Sequence, residues 1–192
     1  MKKLALCTIL IVICNINYVL SNEKIDKCKK TEELPAGPFY IPSFEQNQIA
    51  KKIKGVKIKY NIKILNKNCK PLNEVKVDIW QAKIDGKYDI ENKGLLRGYQ
   101  KTNKKGEVSF YSVLPGWYVG RALHLHIKVG NNYYTQIFFP DTVSKFYKKD
   151  VYKYRGIPDT SNDEDNLFLS LSNPKNNIFN AEKNVYYITI VI

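Results

Sequence analysis

Histidine and methionine are scarce in this chain of 192 residues, which contains two histidines, one methionine and four cysteines. The sequence has no zinc-finger spacing, no RNA-binding signature and no glycine-rich phosphate loop. These absences argue against the common nucleic-acid-binding modules, so we expect no nucleic-acid partner. At this length the chain fits one domain that can bury a hydrophobic core without a structural metal or several disulfides.

A long uninterrupted apolar run is also absent. Residues 4–16 are apolar but interrupted, and they are too few for a membrane span. Two lysines precede this run and the residues before Asn22 suit a cleavage site, which is the layout of a secretory signal peptide over residues 1–21. We therefore predict an exported protein, secreted or periplasmic, with no stable membrane insertion after cleavage. An uncleaved N-terminal anchor is the alternative.

Cleavage would leave two cysteines in the chain, Cys28 and Cys69. An even pair in an exported protein predicts one disulfide, and two free thiols are the alternative. Cys28 lies in residues 22–34, a stretch that we interpret as an N-terminal tether ahead of the folded domain.

Positive charge dominates the composition. There are 31 lysines and arginines against 18 acids, a formal net charge of +13 that becomes +11 without the two lysines of the predicted signal peptide. Between residues 51 and 67 the lysines alternate with apolar residues, a pattern typical of a solvated strand face. The charge is therefore compatible with simple solubility or with binding to an anionic surface.

Alternation with a period of two predicts an all-β fold. In GVKIKYNIKIL (55–65) apolar residues alternate with lysine and asparagine, as in a half-buried strand. VKVDIW (75–80) follows after a turn and alternates in the same way, so we predict that the two form an antiparallel pair. Further strands are predicted at GEVSFYSV (106–113), ALHLHIKV (122–129), YYTQIFF (133–139) and NVYYITIVI (184–192).

These strands predict an antiparallel β-sandwich with little helix, in one domain over residues 35–192. Only residues 143–155 could hold a helical turn or two. The polar stretch DTSNDEDN (159–166) is interpreted as a solvated loop, and a calcium site there is less favoured because the spacing of a calcium loop is incomplete. Trp80 and Trp117 are interpreted as sandwich core.

Both histidines lie two residues apart in one apolar run, as His124 and His126. In a strand, residues two apart face the same side, with Cα atoms about 6.6 Å apart. Their side chains can therefore converge on one metal ion or simply line a polar patch. No acid occurs between Glu107 and Asp141. This argues against the two-histidine, one-carboxylate site of ferrous oxygenases.

Five segments carry a resemblance to one family. They are GPFY (37–40), NCKPLNEVKVDIWQAKIDGKYD (68–89), LRGYQKTNKKGEVSF (96–110), PGWYVGRALHLHIKV (115–129) and YTQIFFPD (134–141). In this order they resemble the intradiol ring-cleavage dioxygenases, ferric enzymes that open catechols between the two hydroxyls. The sequence most resembles the short exported members without a helical dimerisation segment, which implies the β-sandwich of that family and a monomer.

The resemblance implies a site for Fe(III) with four protein ligands. Carried over by position, the ligands are Tyr88, Tyr118, His124 and His126. Tyr118 corresponds to the axial tyrosinate, which leaves when the substrate chelates the metal and can then help to take up a substrate proton. Ionising a free tyrosine at pH 7 costs roughly 4 kcal/mol because its pKa is near 10, and only a strongly charged metal nearby would offset this.

Other positions match the family's substrate-binding residues. Arg121 corresponds to an arginine near the substrate ring, and Gln136 corresponds to a glutamine of the pocket. The permanent charge of Arg121 would stabilise the electron-rich ring during catalysis. Phe39 and Tyr40 are expected near the mouth of the site, with Tyr40 as a substrate contact.

The activity implied by the resemblance is cleavage of catechol, or of a small substituted catechol, by O2 to a muconate-type diacid. Gln81 stands where many exported relatives have histidine, and the tryptophan that follows the second tyrosine in some aromatic-acid enzymes is absent, so the substrate stays open. Gln81 and Asp78 are candidates to orient metal ligands. The alternatives are a catalytically inactive exported module that binds catechols, iron or an anionic surface, and a copper or zinc protein that uses only the histidines.

Overall fold

The computed structural model describes residues 29–91 and 93–192. The predicted signal peptide (1–21) and the first part of the predicted tether lie outside the described residues. Cys28 does so as well; Cys69 is disulfide-bonded, but its pairing with Cys28 stays a prediction. No helix in the described part of the chain is long and apolar enough to cross a membrane.

Two four-stranded sheets share one hydrophobic core. The strands are β1 (Lys57–Leu65), β2 (Lys76–Trp80), β3 (Arg97–Lys101), β4 (Glu107–Val113), β5 (His124–Val129), β6 (Tyr133–Phe138), β7 (Asn180–Glu182) and β8 (Val185–Val191). The strand order is β4-β1-β8-β7 in the first sheet and β3-β2-β5-β6 in the second. The predicted all-β sandwich is confirmed, although β3 and β7 were not predicted as strands.

The partners of β1 differ from the prediction. Strand β1 runs antiparallel to β4, with Lys59 opposite Tyr111, and parallel to β8, with Lys59 opposite Val185. The predicted antiparallel pairing of β1 with β2 is wrong, because β2 pairs with β3 and β5 in the other sheet. Alternation identifies the buried face of each strand but not its neighbour, and these two strands bury their faces on opposite sides of the same core.

The residues of β5 that face the shared core determine which side of the second sheet the two histidines face. Tyr60 from the first sheet and Leu125 and Ile127 from β5 are all 0% exposed within this core. Because successive residues of a strand face opposite sides, His124 and His126 point away from the core to the outer face of the second sheet.

A segment that we call the N-terminal cover, residues 31–46, crosses this outer face. At one edge the backbone N–H of Leu34 donates to the carbonyl of Tyr134 on β6 (3.1 Å). At the other edge the N–H of Gln46 donates to the carbonyl of Tyr99 on β3 (3.2 Å). The cover explains why the two histidines are only 4% and 3% exposed on the outer side of a sheet.

The start of the cover is attached to the last strand. The backbone N–H of Thr31 donates to the carbonyl of Val191 (3.1 Å), and the N–H of Val191 donates to the Thr31 hydroxyl (3.1 Å). Thr31 belongs to the stretch interpreted as a tether, and its side chain is 0% exposed.

Among the described residues, helical structure is short and lies after β6. It comprises 3-10 helices at Asp141–Lys148, Asp150–Tyr152, Asn162–Glu164 and Pro174–Asn177, and one α-helix, α1, at Asn166–Leu169. The helical turns predicted within residues 143–155 are confirmed. The interpretation of residues 159–166 as a solvated loop is wrong for Asn162 and Asp165, which are 4% and 0% exposed.

The two tryptophans differ in their surroundings. Trp80 lies on the outer face in a cluster with Ala82 and Tyr88, so its interpretation as sandwich core is wrong. Trp117 is partly buried and packs against the main core. The hydrophobicity of a tryptophan indicates burial but does not indicate which side of a sheet it covers.

Gln81 connects the end of β2 to the first sheet. Its Oε1 accepts hydrogen bonds from the hydroxyls of Tyr60 (2.8 Å) and Ser112 (2.9 Å), and its Nε2 donates to the carbonyl of Val113 (2.9 Å). These bonds lead to β1 and β4 and not to the histidines that Gln81 was a candidate to orient.

We predict that Gln81→Ala lowers the free energy of unfolding by about 3 kcal/mol, because it removes the partners of three buried polar groups. Urea denaturation of the metal-free protein measures this change. Thr189→Ala, on the exposed face of β8, is the control and should change the free energy by less than about 0.5 kcal/mol. A loss no larger than that of the control would contradict the prediction.

Candidate functional site

The four predicted metal ligands come together on the outer face of the second sheet. Tyr88 follows β2, Tyr118 precedes β5, and His124 and His126 lie on β5. The Tyr88 Oη lies 3.3 Å from the His124 Nε2 and 3.0 Å from the His126 Nε2. The Tyr118 Oη lies 3.2 Å from the His124 Nε2, and the two Nε2 atoms are 3.1 Å apart. Side chains from three separate segments therefore present four donor atoms to one point.

Two glycines let the tyrosine-bearing loops touch. Gly86 has a φ of +79°, and a Cβ at this position would overlap the carbonyl oxygen of Trp117. A Cβ on Gly116 would overlap the carbonyl oxygen of Lys83. Only glycine allows this backbone contact between the loop before Tyr88 and the loop before Tyr118.

Burial sets the protonation of the imidazoles. It lowers the pKa of His124 to about 4, with a further contribution from the charge of Arg121, and it lowers the pKa of His126 well below its ordinary value. Both rings are therefore neutral at pH 7. The Nδ1 of His124 lies 2.7 Å from the carbonyl oxygen of Ala122, so this nitrogen carries the proton and the Nε2 lone pair faces the cluster.

Burial also raises the pKa of the Tyr88 phenol well above its ordinary value, and the nearby Tyr118 raises it further. Without a cation both tyrosine hydroxyls can donate hydrogen bonds to the imidazole nitrogens. Binding of a metal would require the phenols to lose their protons, and this couples metal binding to pH.

The donor set fits a transition metal. Nitrogen and oxygen ligands at about 2.0–2.2 Å from a metal and roughly 100° apart are separated by about 3.2 Å. The contacts of Tyr88 and Tyr118 with the imidazole nitrogens, and the contact between the two imidazoles, measure 3.0–3.3 Å and agree with this separation. Among residues 29–91 and 93–192, no group of three or more histidine, cysteine, aspartate or glutamate side chains could hold a metal ion. In this cluster the oxygens of Tyr88 and Tyr118 would take the place of the carboxylate or thiolate ligands of such a group.

Arg121 and Gln136 lie together beside the donor atoms. One terminal nitrogen of Arg121 donates to the Gln136 Oε1 (2.6 Å), and the Gln136 Nε2 donates to the carbonyl of Pro35 in the N-terminal cover (2.8 Å). Gln136 stands opposite His126 in the β5–β6 register. The two predicted substrate-binding residues are therefore held in one network.

Asp165 completes this network, and the sequence reasoning missed it. Its Oδ2 accepts from the Arg121 Nε (2.8 Å) and from the Ala122 N–H (2.8 Å), while its Oδ1 accepts from the first N–H groups of α1. Asp165 thus fixes the guanidinium and also the residue whose carbonyl orients His124. The available signal was its position as a helix N-cap within a polar stretch.

Arg97 holds the loop that contains Tyr88 and was likewise missed. It is 1% exposed, and its guanidinium donates to the carbonyls of Asp89 (2.6 Å), Phe39 (3.3 Å) and Ile41 (3.1 Å). Phe39 in turn stacks on Tyr88, with ring centroids 4.6 Å apart. Arg97 therefore ties the N-terminal cover to the tyrosine loop.

Tyr40 lies one layer away from the donor atoms. It packs on Trp80, which stacks on His126 with ring centroids 5.0 Å apart. The Tyr40 hydroxyl lies 3.4 Å from the Asp78 Oδ2 and accepts from the Lys128 Nζ at 3.3 Å. Asp78 thus orients Tyr40, and the role of Tyr40 as a substrate contact stays a prediction.

A cavity of about 590 Å³ opens beside the two tyrosines. Phe39, Tyr88, Leu95 and Tyr118 line it. The site therefore combines a buried donor set, a fixed positive charge and an adjoining space of the size used for small ligands.

Comparison with known proteins agrees with this fold. A protein from Rickettsia typhi, which carries the provisional name of dioxygenase, is 33% identical over 141 residues, covering 60% of this chain and 67% of its own length. An intradiol ring-cleavage dioxygenase from Tetranychus urticae has a TM-score of 0.79 and 27% identity, covering 86% of this chain and 94% of that one. No protein-family model matches the chain.

A further solved structure is the dioxygenase domain of a dioxygenase and carbohydrate-binding protein fusion from Streptomyces sp. SirexAA-E. It has a TM-score of 0.67 and 25% identity, and it covers 85% of this chain and 98% of that domain. The fold and the comparisons define an all-β dioxygenase. The chain belongs to the intradiol ring-cleavage dioxygenases, a family of oxidoreductases, as the sequence motifs predicted.

We predict that Asp165→Asn lowers the free energy of unfolding by about 2 kcal/mol, because the cap acceptor at Oδ1 is kept while the ionic partner of Arg121 is lost. Urea denaturation measures the change. Asp163→Asn, an exposed neighbour in the same stretch, should stay within about 0.5 kcal/mol of the parent. Equal stabilities of the two variants would show that the Arg121 contact does not contribute.

Proposed function

We propose that this protein is a non-haem ferric dioxygenase that cleaves a catechol between its hydroxyls with O2 and yields a muconate-type diacid. The observation that supports this most directly is the cluster of two phenol oxygens and two neutral imidazole nitrogens, in which each atom lies 3.0–3.3 Å from at least one of the others. Two anionic oxygen donors with two neutral nitrogen donors suit a trivalent ion, because they offset its charge without adding carboxylates.

Tyr88, Tyr118, His124 and His126 would hold the iron. When bound, Fe(III) would stabilise the two phenolates and make the chelated diol reactive towards O2. Tyr88 is 5% exposed, whereas Tyr118 is only half-buried and also lines the cavity. Tyr118 is therefore better placed to move when a substrate enters, and its Oη is the acceptor for a proton from a substrate hydroxyl.

Arg121 would act on the substrate ring through its charge. Its guanidinium is fixed by Asp165 and Gln136 at the side of the donor atoms. A cation held in a largely buried place stabilises negative charge that develops on a ring more strongly than the same cation would in water. Because arginine keeps its proton at all accessible pH values, this stabilisation does not depend on pH.

The setting of the reaction is part of the proposal. The pattern of residues 1–21 supports export to the periplasm or the outside of the cell, and the match to short family members supports a monomer. The partners proposed are a small aromatic diol and O2, without nucleic acid and without stable membrane insertion.

We predict that the protein loaded with Fe(III) is strongly coloured, because tyrosinate-to-iron charge transfer absorbs visible light. Tyr88→Phe and Tyr118→Phe should each shift or weaken this band in absorption spectra taken at equal iron content. Tyr154→Phe, at a side chain that is 68% exposed, is the matched control and should leave the band unchanged. A colourless iron complex of the parent protein would contradict the assignment of the tyrosines.

We predict that the iron-loaded protein consumes O2 with at least one of catechol, protocatechuate and hydroxyquinol, and that Arg121→Gln lowers kcat about 100-fold, the size expected for loss of one electrostatic group. An oxygen electrode measures the rates. Lys145→Gln, at an exposed lysine that is distant from Arg121 in the sequence, should leave kcat unchanged. A coloured iron protein that consumes no O2 with any of the three would favour the inactive binding module.

A further inference from the structure

The cavity beside Tyr88 and Tyr118 is larger than one aromatic ring requires. Its volume is about 590 Å³, whereas an engineered protein cavity of about 150 Å³ holds a benzene ring. Pockets that take drug-sized ligands measure about 300–1,000 Å³. A single diol ring placed against the tyrosines would leave most of this space to solvent.

The wall of the cavity beyond the tyrosines includes three apolar side chains. Phe39, Ile90 and Leu95 line it and are 36%, 65% and 38% exposed. Single exposed apolar side chains are ordinary on a protein surface, but three of them around one cavity next to a reactive centre indicate a ligand-binding groove. The stacking of Phe39 on Tyr88 makes the apolar wall continuous with the donor atoms.

Charge contributes less to selectivity here than apolar contact. Lys83 lies 4.0 Å from Asp85, and Lys93 pairs with Glu91, so two of the three lysines in the wall have acidic partners. Lys87 is exposed and has no ion-pair partner among the described residues. An exposed lysine attracts an anion only weakly, whereas removing a ring from water is favourable in proportion to the area covered.

We propose that the site prefers catechols that carry a second ring, or an apolar substituent of similar size, over catechol itself. The diol faces Tyr88 and Tyr118, and the substituent lies against Phe39, Ile90 and Leu95. This inference rests on the proposed function, because it assumes that the diol is the reacting group, and it names the class of substrate for that same site.

The first experiment compares kcat/KM for 3,4-dihydroxybiphenyl and catechol in the iron-loaded protein by O2 uptake. We expect a ratio of at least 10 in favour of the biphenyl diol. Ile90→Asp and Leu95→Asp should each reduce this ratio at least threefold. Leu169→Asp, at an exposed leucine that does not line the cavity, should leave the ratio unchanged. A ratio of one or less in the parent protein, or an equal reduction in all three variants, overturns the proposal.

The second experiment separates this proposal from the catalytic one by using compounds that cannot be cleaved. Calorimetry on the metal-free protein should give a Kd at least 10-fold lower for 4-phenylphenol than for phenol, with the difference reduced in Ile90→Asp. If that preference holds while no diol consumes O2, the cavity inference stands and the proposed function fails. If catechol is cleaved but 4-phenylphenol binds no better than phenol, the function stands and the cavity inference fails.

Discussion

The structure depends on keeping two neutral imidazoles and two phenol oxygens in contact with one another in a place that is largely closed to water. His124 and His126 could face the outside of a sheet in any sandwich, but here the N-terminal cover and two loops bury them to 4% and 3% exposure. Burial then keeps the rings uncharged, and it raises the pKa of Tyr88, so that this phenol does not ionise unless a cation compensates. The same burial therefore fits the proposed binding of a highly charged metal ion.

Much of the surrounding structure serves this contact indirectly. Asp165 holds Arg121 and Ala122 together, Arg97 holds the Tyr88 loop to the cover, and Gly86 and Gly116 allow the two tyrosine loops to touch. None of these residues contributes a donor atom to the cluster, yet each holds a segment that lies next to a residue that does. The donor atoms are thus positioned by a buried polar network and not by the strands alone.

The sequence predicted the sandwich because alternation is a short-range pattern that marks strands. It predicted that Tyr88, Tyr118, His124 and His126 belong to one site only through the family resemblance of the segments with GKYD, PGWY and HLH. The sequence did not predict the partners of β1 correctly, because the alternation within a strand is the same whichever strand lies next to it. It failed for Asp165 and Arg97, because a charged residue buried by partners distant in the chain looks like any exposed one. Trp80 was assigned to the wrong face of its sheet for a related reason, since hydrophobicity indicates burial but not which face of the sheet is buried.

The bonds between Thr31 and Val191 join the first part of the cover to the final strand. A chain in which β8 has not yet paired with β1 lacks the partner of Thr31 and so cannot hold the first part of the cover in place. Closure of the cover over the donor atoms therefore follows the pairing of strands that are distant in the chain, which makes it a late step of folding.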